Sequence, residues 1–336
     1  MKKLAIISIV FFSFLACKEK TSNAKTDATI EVSEKMAPQK TYAEISIAQG
    51  GEWIDGTRGH KEYNAGTSFK NVDSLHVPKE HTDHSWYIRY EGPGWENGQI
   101  GYRIYLDWRN AIDIFGKKTD SLILPYVGQD GFDSYHEPSP WGQDILKAGK
   151  SMGIGGYGRI VSDTIVHFQT VKNTFAQVEN SAESSSVNIF YEGWKTGNDI
   201  IDLKSKLTIY PEDRYTKVEL TPSKEIDGIC TGIVKHGVNF HKKEGEKWAY
   251  IATYGMQTLA TPPDNLGMAL FYKMEEVAEQ KEGQYEYLVI FKPTIKTITY
   301  YLLAAWEQEQ NGIKTEEAFI ADLNKKLEAL ETTNSI

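Results

Sequence analysis

Cysteine is scarce in this chain, which has only Cys17 and Cys230 among its 336 residues. Cys17 directly follows an N-terminal apolar stretch and is expected to carry a lipid on its sulfur. Cys230 is then the only thiol of the mature chain, so an internal disulfide is excluded. The apolar stretch Ile229–Gly232 around it favours a small buried side chain over a catalytic thiol.

The N-terminus carries the signals of an exported protein. Two lysines precede an apolar run from Leu4 to Phe14, which is too short and too early for a lasting membrane span, so residues 1–16 are predicted to be a signal peptide. Small residues before Cys17 resemble the lipobox of bacterial lipoproteins, which implies a lipid such as palmitate on that cysteine. Residues 17–40 are rich in Lys, Glu, Ser and Thr and predict a flexible tether. No aspartate follows Cys17, which favours the outer membrane, on its periplasmic or cell-surface face.

Positive charge is also in short supply. Lys and Arg total 37 against 46 Asp and Glu, a net charge of −9 that becomes −11 when Lys2 and Lys3 leave with the signal peptide. A protein this acidic does not bind nucleic acid non-specifically, so no nucleic-acid partner is expected. Three of the six arginines, Arg89, Arg103 and Arg109, nevertheless fall within residues 81–117. Because guanidinium groups match carboxylate and sulfate geometry, this cluster predicts an anionic ligand.

Short alternating runs dominate the remaining chain and predict a mostly β fold. Aromatic residues are abundant and evenly spread, and neither a second linker nor a repeat of fixed period interrupts them. The prediction is one large antiparallel β-sandwich over residues 41–332. A terminal helix is predicted to start at Thr315, because apolar residues follow it at helical spacing: Phe319, Ile320, Leu323, Leu327 and Leu330.

Residues 81–117 predict a β-hairpin. Ser85–Glu91 alternates between apolar and polar positions, Asn97-Gly98 supplies a turn, and Gln99–Asp107 alternates again. Arg89 and Arg103 would then project from the polar faces of neighbouring strands, with Trp95 at the loop tip, as a floor for an acidic sugar. The alternative is that these arginines pair with Glu91 and Asp107 across a solvated face.

The strongest catalytic candidates lie in the long irregular segment 120–150. Tyr135 and His136 stand there shortly before Trp141, which could stack on a sugar ring. The alternative for His136 is a loop histidine that bonds to backbone. His81 and His84, three residues apart, could seed a metal site, but no third ligand is marked by spacing. No metal or cofactor is therefore expected, although a divalent cation stays open.

Three segments of the chain resemble a family of secreted bacterial proteins known as a domain of unknown function: residues 81–117, 135–159 and 231–237. The family includes an oligosaccharide dehydratase of ulvan breakdown. The resemblance covers roughly residues 42–331 and implies the supersandwich fold of mutarotase-like and lyase domains. It also implies removal of water from the non-reducing-end uronic acid of an acidic oligosaccharide, with or without sulfate, to leave a 4,5-unsaturated uronate.

Dehydration at C4 and C5 requires neutralisation of the carboxylate, a base for the C5 proton and an acid for the leaving hydroxyl. Arg103 and Arg109 are predicted to neutralise the carboxylate. The base is predicted to be His136 or Tyr135, and the acid His84 or His81. Substrate-binding roles are predicted for the following residues: Arg109, Asn110, Trp95, Trp141 and Arg89. Asn110 could equally cap a turn.

Other functions fit the same residues. A polysaccharide lyase uses the same elimination but expels a sugar, a lipid-anchored binding module only binds, and an epimerase or mutarotase changes stereochemistry alone. Glycoside hydrolysis is less favoured, because Asp107 and Asp113 are the only visible carboxylate pair. The sequence gives no indication of the oligomeric state.

Overall fold

The chain folds around an antiparallel sheet of nine strands, called the long sheet here, in a computed structural model that describes residues 39–64, 68–129 and 134–336. Its strands, in spatial order, are Asn239–Glu244, Trp248–Met256, Asn265–Lys273, Ile298–Trp306, Tyr215–Pro222, Asp199–Ile209, Ser185–Thr196, Asn173–Asn180 and Ser74–His76. Strand Ile298–Trp306 shows how its two faces are used. Tyr300 and Leu302 point into the main core, whereas Tyr301 and Leu303 point to the opposite face. Because successive side chains of a strand point to opposite faces of the sheet, the long sheet has an apolar layer on each face.

Two smaller antiparallel sheets share the main core with the long sheet. The first, called the site sheet, orders its six strands Phe69–Val72, Thr41–Ala48, Gly94–Asn97, Ile100–Ile104, Ile112–Lys117 and Gly142–Asp144. The second orders its five strands Thr164–Val166, Ile154–Val161, Ile229–Val234, Glu286–Phe291 and Val277–Glu282. Trp95 Nε1 donates to Thr216 Oγ1 at 2.8 Å and ties the site sheet to the long sheet. Strands Glu52–Asp55 and Lys61–Asn64 form a separate two-stranded ribbon.

The opposite face of the long sheet is covered by one α-helix, Glu316–Thr333. Thr315 caps it, since its side chain accepts a hydrogen bond from the amide of Ala318. Phe319, Leu323, Leu327 and Leu330 are buried against the aromatic layer of the sheet. Short 3₁₀ turns span Arg89–Glu91, Leu124–Tyr126, Ser134–His136 and Met274–Glu276. The predicted antiparallel β-sandwich with a closing helix is confirmed.

The first half of the predicted hairpin is wrong. Residues 85–91 do not form a strand, because Trp86, Tyr90 and Glu91 have φ values of 63°, 43° and 71°, which break the extended geometry. Arg89–Glu91 is a 3₁₀ turn instead. The hairpin is made by Gly94–Asn97 and Ile100–Ile104, which pair across the predicted turn at Asn97-Gly98.

Several N-terminal predictions lie outside the described residues: the signal peptide 1–16, the lipid on Cys17 and nearly all of the tether 17–40. Among the residues that the structure describes, no helix has the length and apolar character to cross a membrane. Cys230 is fully buried in strand Ile229–Val234, and burial raises the pKa of its thiol. It is therefore the packed side chain that its apolar surroundings predict.

Candidate active site

A cavity of about 310 Å³ opens at the edge of the site sheet. Thirteen residues line it: His84, Glu91, Arg103, Tyr105, Arg109, Asp113, Tyr135, His136, Leu146, Lys147, Ala148, Gly149 and Leu259. Five of the residues predicted from sequence are therefore brought together from positions that are up to 52 residues apart in the chain. These five are His84, Arg103, Arg109, Tyr135 and His136.

Strand register places Arg103 at the centre of this cavity. Arg103 in strand Ile100–Ile104 stands directly opposite Asp113 in strand Ile112–Lys117. Its Nη2 donates to Asp113 at 3.0 Å and to Asp144, on the next strand, at 2.6 Å. Its Nη1 donates to the hydroxyl of Tyr135 at 3.0 Å. Arg103 is fully buried, and the carboxylates of Asp113 and Asp144 balance its charge. The guanidinium is therefore not readily available to an approaching anion.

The carboxyl of Asp113 titrates near neutral pH. Burial, and then the neighbouring charge of Asp144, raise its pKa to about 7 against the opposing charge of Arg103. The hydroxyl of Tyr105 donates to the same Asp113 oxygen that Arg103 contacts. Within the described part of the chain, Asp113 Oδ1 and Arg103 Nε are buried without a hydrogen-bond partner. Such orphaned groups in a cavity wall are characteristic of sites completed by a ligand or by ordered water.

Tyr135 and His136 are consecutive residues of the 3₁₀ turn Ser134–His136 and make different contacts in the site. His136 Nδ1 lies 3.3 Å from Oδ2 of Asp144, so a buried carboxylate orients the imidazole. Burial raises the pKa of Tyr135 more than the charge of Arg103 lowers it. The phenol is therefore protonated at neutral pH, while the half-exposed imidazole has a carboxylate behind it.

Arg109 binds three acidic residues at the mouth of the site. It contacts Asp83 at 2.9 Å and Glu91 at 2.8 Å, and it forms a bidentate pair with Asp107. Burial raises the pKa of Glu91, but Arg109 and then Arg103 outweigh it and lower that pKa to about 2. The guanidinium carbon also lies 4.0 Å from the ring centroid of Tyr105. Arg109 keeps 14 % of its side chain exposed, which makes it the more accessible of the two arginines.

The arginines form ion pairs with carboxylates, which was the alternative to a ligand-binding role. These ion pairs are buried and do not lie on a solvated face. Arg89 is fully buried, pairs with Glu44 and donates to the Pro125 carbonyl at 3.4 Å. It does not line the cavity, so its predicted substrate contact is wrong. A cluster of arginines in this sequence thus indicates a network of buried ion pairs as much as an anionic ligand.

Three other predicted binding residues also lie away from the cavity. Trp95 is 0 % exposed, so it cannot stack on a sugar. Asn110 is buried, donates to the Tyr157 carbonyl at 3.1 Å and accepts from Tyr191, so it stabilises a turn with φ of 50°. Trp141 packs on Phe115 at 6.0 Å and is not among the lining residues. The binding roles predicted for Trp95 and Asn110 are wrong, because both side chains are fully buried, whereas the stacking role of the partly exposed Trp141 stays a prediction.

His81 does not join the site either. Its Nδ1 is 2.8 Å from Ser85 Oγ, and its ring lines a neighbouring cavity instead. Burial is the main cause that lowers its pKa, which favours the neutral form. The predicted acid role for His81 therefore has no support in the geometry.

One group of side chains has the composition of a metal site. Ligand atoms of Asp83, His84 and Glu91 lie within 4.8 Å of one another. His84 supplies the histidine of the predicted pair, and Glu91 is the third ligand that spacing did not mark. Arg109 contacts both carboxylates, so a positive charge already lies beside the triad.

Sequence reasoning missed Tyr105, Asp144 and Lys147 as site residues. Tyr105 stands two positions after Arg103, so strand alternation could have placed both on one face. Asp144 and Lys147 lie in the irregular segment 120–150, where no period relates a residue to the site sheet. The carbonyl of Lys147 is 3.0 Å from His236 Nε2, which links this segment to the loop of Gln257.

Comparisons with known proteins identify the family and leave the chemistry open. The profile of a family described as a domain of unknown function, DUF4861, matches residues 10–336. No match is found among curated proteins. Two solved structures are similar: a candidate kojibiose phosphorylase from the human microbiome and a candidate aldose 1-epimerase from Klebsiella pneumoniae.

Both structural similarities are distant. The phosphorylase is 14 % identical with a TM-score of 0.42, and the match covers 70 % of this chain and 32 % of that one. This chain thus spans about a third of the phosphorylase's length. The epimerase is 7 % identical with a TM-score of 0.35, and the match covers 88 % of this chain and 97 % of that one.

Proposed function

The chain belongs to the DUF4861 family, and from the geometry of its site we propose that it is a carbon–oxygen lyase that dehydrates the non-reducing-end uronic acid of ulvan-type oligosaccharides. In this reaction the C5 proton is removed, the C4 hydroxyl leaves as water, and a C4=C5 double bond forms. The observation that carries the proposal is the arrangement of His136 and Tyr135, both organised by Arg103 and Asp144 in one cavity.

His136 is proposed as the base. The C5 proton of a uronate is weakly acidic, so the base must be oriented and its protonated form stabilised. Asp144 meets both needs, because it holds Nδ1 and carries the negative charge that an imidazolium would face. Nε2 is then the atom that takes the proton. The alternative role for His136 was a loop histidine that bonds only to backbone. The contact with the buried carboxylate of Asp144 favours the base role over that alternative.

Tyr135 is proposed as the acid that protonates the departing hydroxyl. Its phenol is protonated at neutral pH because burial raises its pKa. When the proton leaves, the phenolate faces Arg103 Nη1 at 3.0 Å, which stabilises the new charge. The proton gained by His136 returns to Tyr135 after product release, so the pair is restored without a further reactant.

Recognition of the substrate carboxylate is assigned to Arg109 and Lys147. Both line the cavity, and both are more accessible than Arg103. Asp113 supports this binding in its protonated form, because a neutral Asp113 removes one negative charge from the cavity wall. Arg103 has 1 % of its side chain exposed and Arg109 has 14 %, so Arg109 is the arginine that a substrate carboxylate can reach.

The test is incubation of purified protein with uronate-ended ulvan oligosaccharides, followed by mass and by ultraviolet absorbance. Dehydration predicts a product lighter by one water, with the chain uncut and a rise in absorbance. His136→Ala and Arg103→Ala are expected to abolish both signals. Full activity in both variants would overturn the site. A cut chain would indicate a polysaccharide lyase, binding without product a sugar-binding module, and unchanged mass with new stereochemistry an epimerase.

We also propose that the protein is a lipoprotein of the outer membrane, anchored through Cys17. The proposal rests on the apolar N-terminal run and the small residues before that cysteine. Metabolic labelling with a palmitate analogue tests it, with Cys17→Ser as the matched variant. Label on the wild-type protein and none on the variant is expected, and equal labelling of the two would contradict the anchor.

A further inference from the structure

A larger cavity, of about 810 Å³, adjoins the candidate site through the turn at residues 107–110. Asp107 and Trp108 line this larger cavity, while the next residue, Arg109, lines the site. Asp107 also pairs with Arg109, so one carboxylate belongs to the wall between the two spaces. A ligand long enough to leave the site past Arg109 therefore enters a preformed space.

The lining of this cavity has the chemistry of a sugar-binding surface. Trp108 is 40 % exposed, an unusual fraction for a tryptophan, while Phe168 and Tyr191 lie buried behind it in the cavity wall. Polar side chains surround these rings: His76, Lys79, His81, Thr82, Gln169, Lys172 and Asn173. Flat apolar rings among hydrogen-bonding groups match the two kinds of surface that a pyranose presents.

The charges of the cavity favour an anionic substituent on that sugar. Asp107 is the one acidic residue among the described lining residues, and it pairs with Arg109. Lys79 and Lys172 contribute positive charge, although Lys172 pairs with Glu192. The chain as a whole carries a net charge of −9, whereas the lining of this cavity has more lysines than acidic residues.

Two further observations indicate a built site. Trp108 and Arg109 are held by backbone contacts: Phe168 N donates to the Trp108 carbonyl at 2.9 Å, and His167 Nδ1 is 2.9 Å from the Arg109 carbonyl. His81 Nε2 is buried and has no hydrogen-bond partner among the residues that the structure describes.

We propose that this cavity binds the sugar units that follow the reacting uronate, and that Lys79 and Lys172 recognise a sulfate or carboxylate on them. The inference rests on the proposed function and deepens it, because it makes the substrate an oligosaccharide rather than a free uronic acid. Trp108 stacks on the second ring, and Arg109 holds the first.

The experiment compares a single-ring probe, methyl glucuronide, with a uronate-ended ulvan tetrasaccharide in sulfated and desulfated forms. Binding is measured by calorimetry and turnover by absorbance. For Trp108→Ala, the preference for the tetrasaccharide over the single ring is expected to fall about tenfold, as for loss of one aromatic stacking contact. For Lys79→Ala, the preference for the sulfated form is expected to fall about threefold.

Matched variants lie on a distant strand of the long sheet. Phe240→Ala removes an aromatic ring of similar exposure, 39 %, and Lys242→Ala removes an exposed lysine of the same strand, Asn239–Glu244. Both are expected to retain the wild-type preferences. If Trp108→Ala also retains them while turnover continues, the cavity proposal is overturned and the proposed function stands.

The opposite result separates the two proposals as well. If the tetrasaccharide binds and Trp108→Ala weakens it, but no product forms, the cavity proposal stands and the dehydration is overturned. If the wild-type protein neither binds nor converts the tetrasaccharide, both are overturned.

Discussion

His136 Nδ1 lies 3.3 Å from Oδ2 of Asp144, and that same oxygen accepts a hydrogen bond from Arg103 Nη2 at 2.6 Å. The imidazole is therefore coupled to the guanidinium through one buried carboxylate. Arg103 in turn reaches Tyr135 on its other nitrogen. His136 and Tyr135 are thus linked through three consecutive contacts, by way of Asp144 and Arg103, which suits a paired base and acid.

Tyr135→Phe is expected to lower kcat by about 10²- to 10⁴-fold, the range for loss of a general acid, with a smaller effect on KM. The substitution removes the hydroxyl next to Arg103 and keeps the ring against Phe115, so the fold is preserved. Steady-state absorbance kinetics measure it. Tyr126→Phe, on a ring that is 76 % exposed, is the control and should match the wild type. An unchanged kcat in Tyr135→Phe would assign the acid role elsewhere.

Asp113→Asn is expected to flatten the pH dependence of stability. The folded protein raises the pKa of Asp113 from 3.8 to about 7, so it binds this proton more tightly than the unfolded chain does. The corresponding stability is fully present below about pH 4 and is lost as the pH rises through about 7. Asparagine does not ionise, so the decline of Tm between these values should shrink. Thermal melts across this range measure it, and an unaltered slope would refute the assignment.

Glu286→Gln is the matched comparison for that experiment. Burial raises the pKa of Glu286 to about 7 as well, but this residue lies on strand Glu286–Phe291, outside the candidate site. The pH slope of Tm should also shrink in this variant. The pH profile of activity should not change.

Activity is expected to fall as the pH rises above about 7, because ionised Asp113 adds a negative charge next to a bound uronate. The effect should appear in kcat/KM, which reports the free enzyme. Asp113→Asn should lack this alkaline decline, whereas Glu286→Gln should keep it. A profile of kcat/KM against pH for the three proteins decides the point, and a decline that persists in Asp113→Asn would place the titrating group elsewhere.

Arg109→Lys is expected to raise KM and to reduce stability by about 2 kcal/mol. Lysine keeps the charge but cannot bridge Asp83, Glu91 and Asp107 at once. Chemical denaturation and substrate titration measure the two effects. Arg159→Lys, which affects a remote pair with Asp199, should change stability by less than about 1 kcal/mol and leave KM unchanged. Equal behaviour of the two variants would remove Arg109 from substrate binding.

Trp95→Phe is expected to act on stability alone. The indole is buried and donates to Thr216, so its loss should cost about 1–3 kcal/mol from an unfilled volume and an unpaired hydroxyl. KM should stay at the wild-type value because the ring does not reach the cavity. Denaturation and kinetics together test this, and a raised KM with normal stability would restore a binding role.

The fold could be predicted where the sequence has a clear period. Gln99–Asp107 alternates and contains the strand Ile100–Ile104, and the apolar spacing after Thr315 marks the helix Glu316–Thr333. Strands Asn239–Glu244 and Val277–Glu282 were not predicted, because they lie at sheet edges and are mostly polar and exposed. An edge strand is held mainly by backbone hydrogen bonds to one neighbour, so its side chains need not alternate between apolar and polar. The sequence pattern therefore does not reveal such a strand.

The site could be predicted only in part, for a related reason. Alternation correctly separated the two faces of Ile100–Ile104, but it implied that the face of Arg103 is solvated. All five residues of this strand are buried, so the polar face forms an internal ion-pair network instead. The burial of Arg89 and Trp95 has the same cause. Tertiary packing determines which residues of segments 81–117 and 135–147 contact each other. The spacing of residues within one segment does not predict such contacts.

Strand Thr41–Ala48 bonds to Gly94–Asn97 through its first half and to Phe69–Val72 through its second half. Its Glu44 is the buried counter-ion of Arg89 and also accepts from Tyr90. A protease cut that removes this strand would therefore expose sheet edges and leave the buried guanidinium of Arg89 without its counter-ion. Loss of Thr41–Ala48 is thus expected to destabilise the site sheet along both strands that it joins.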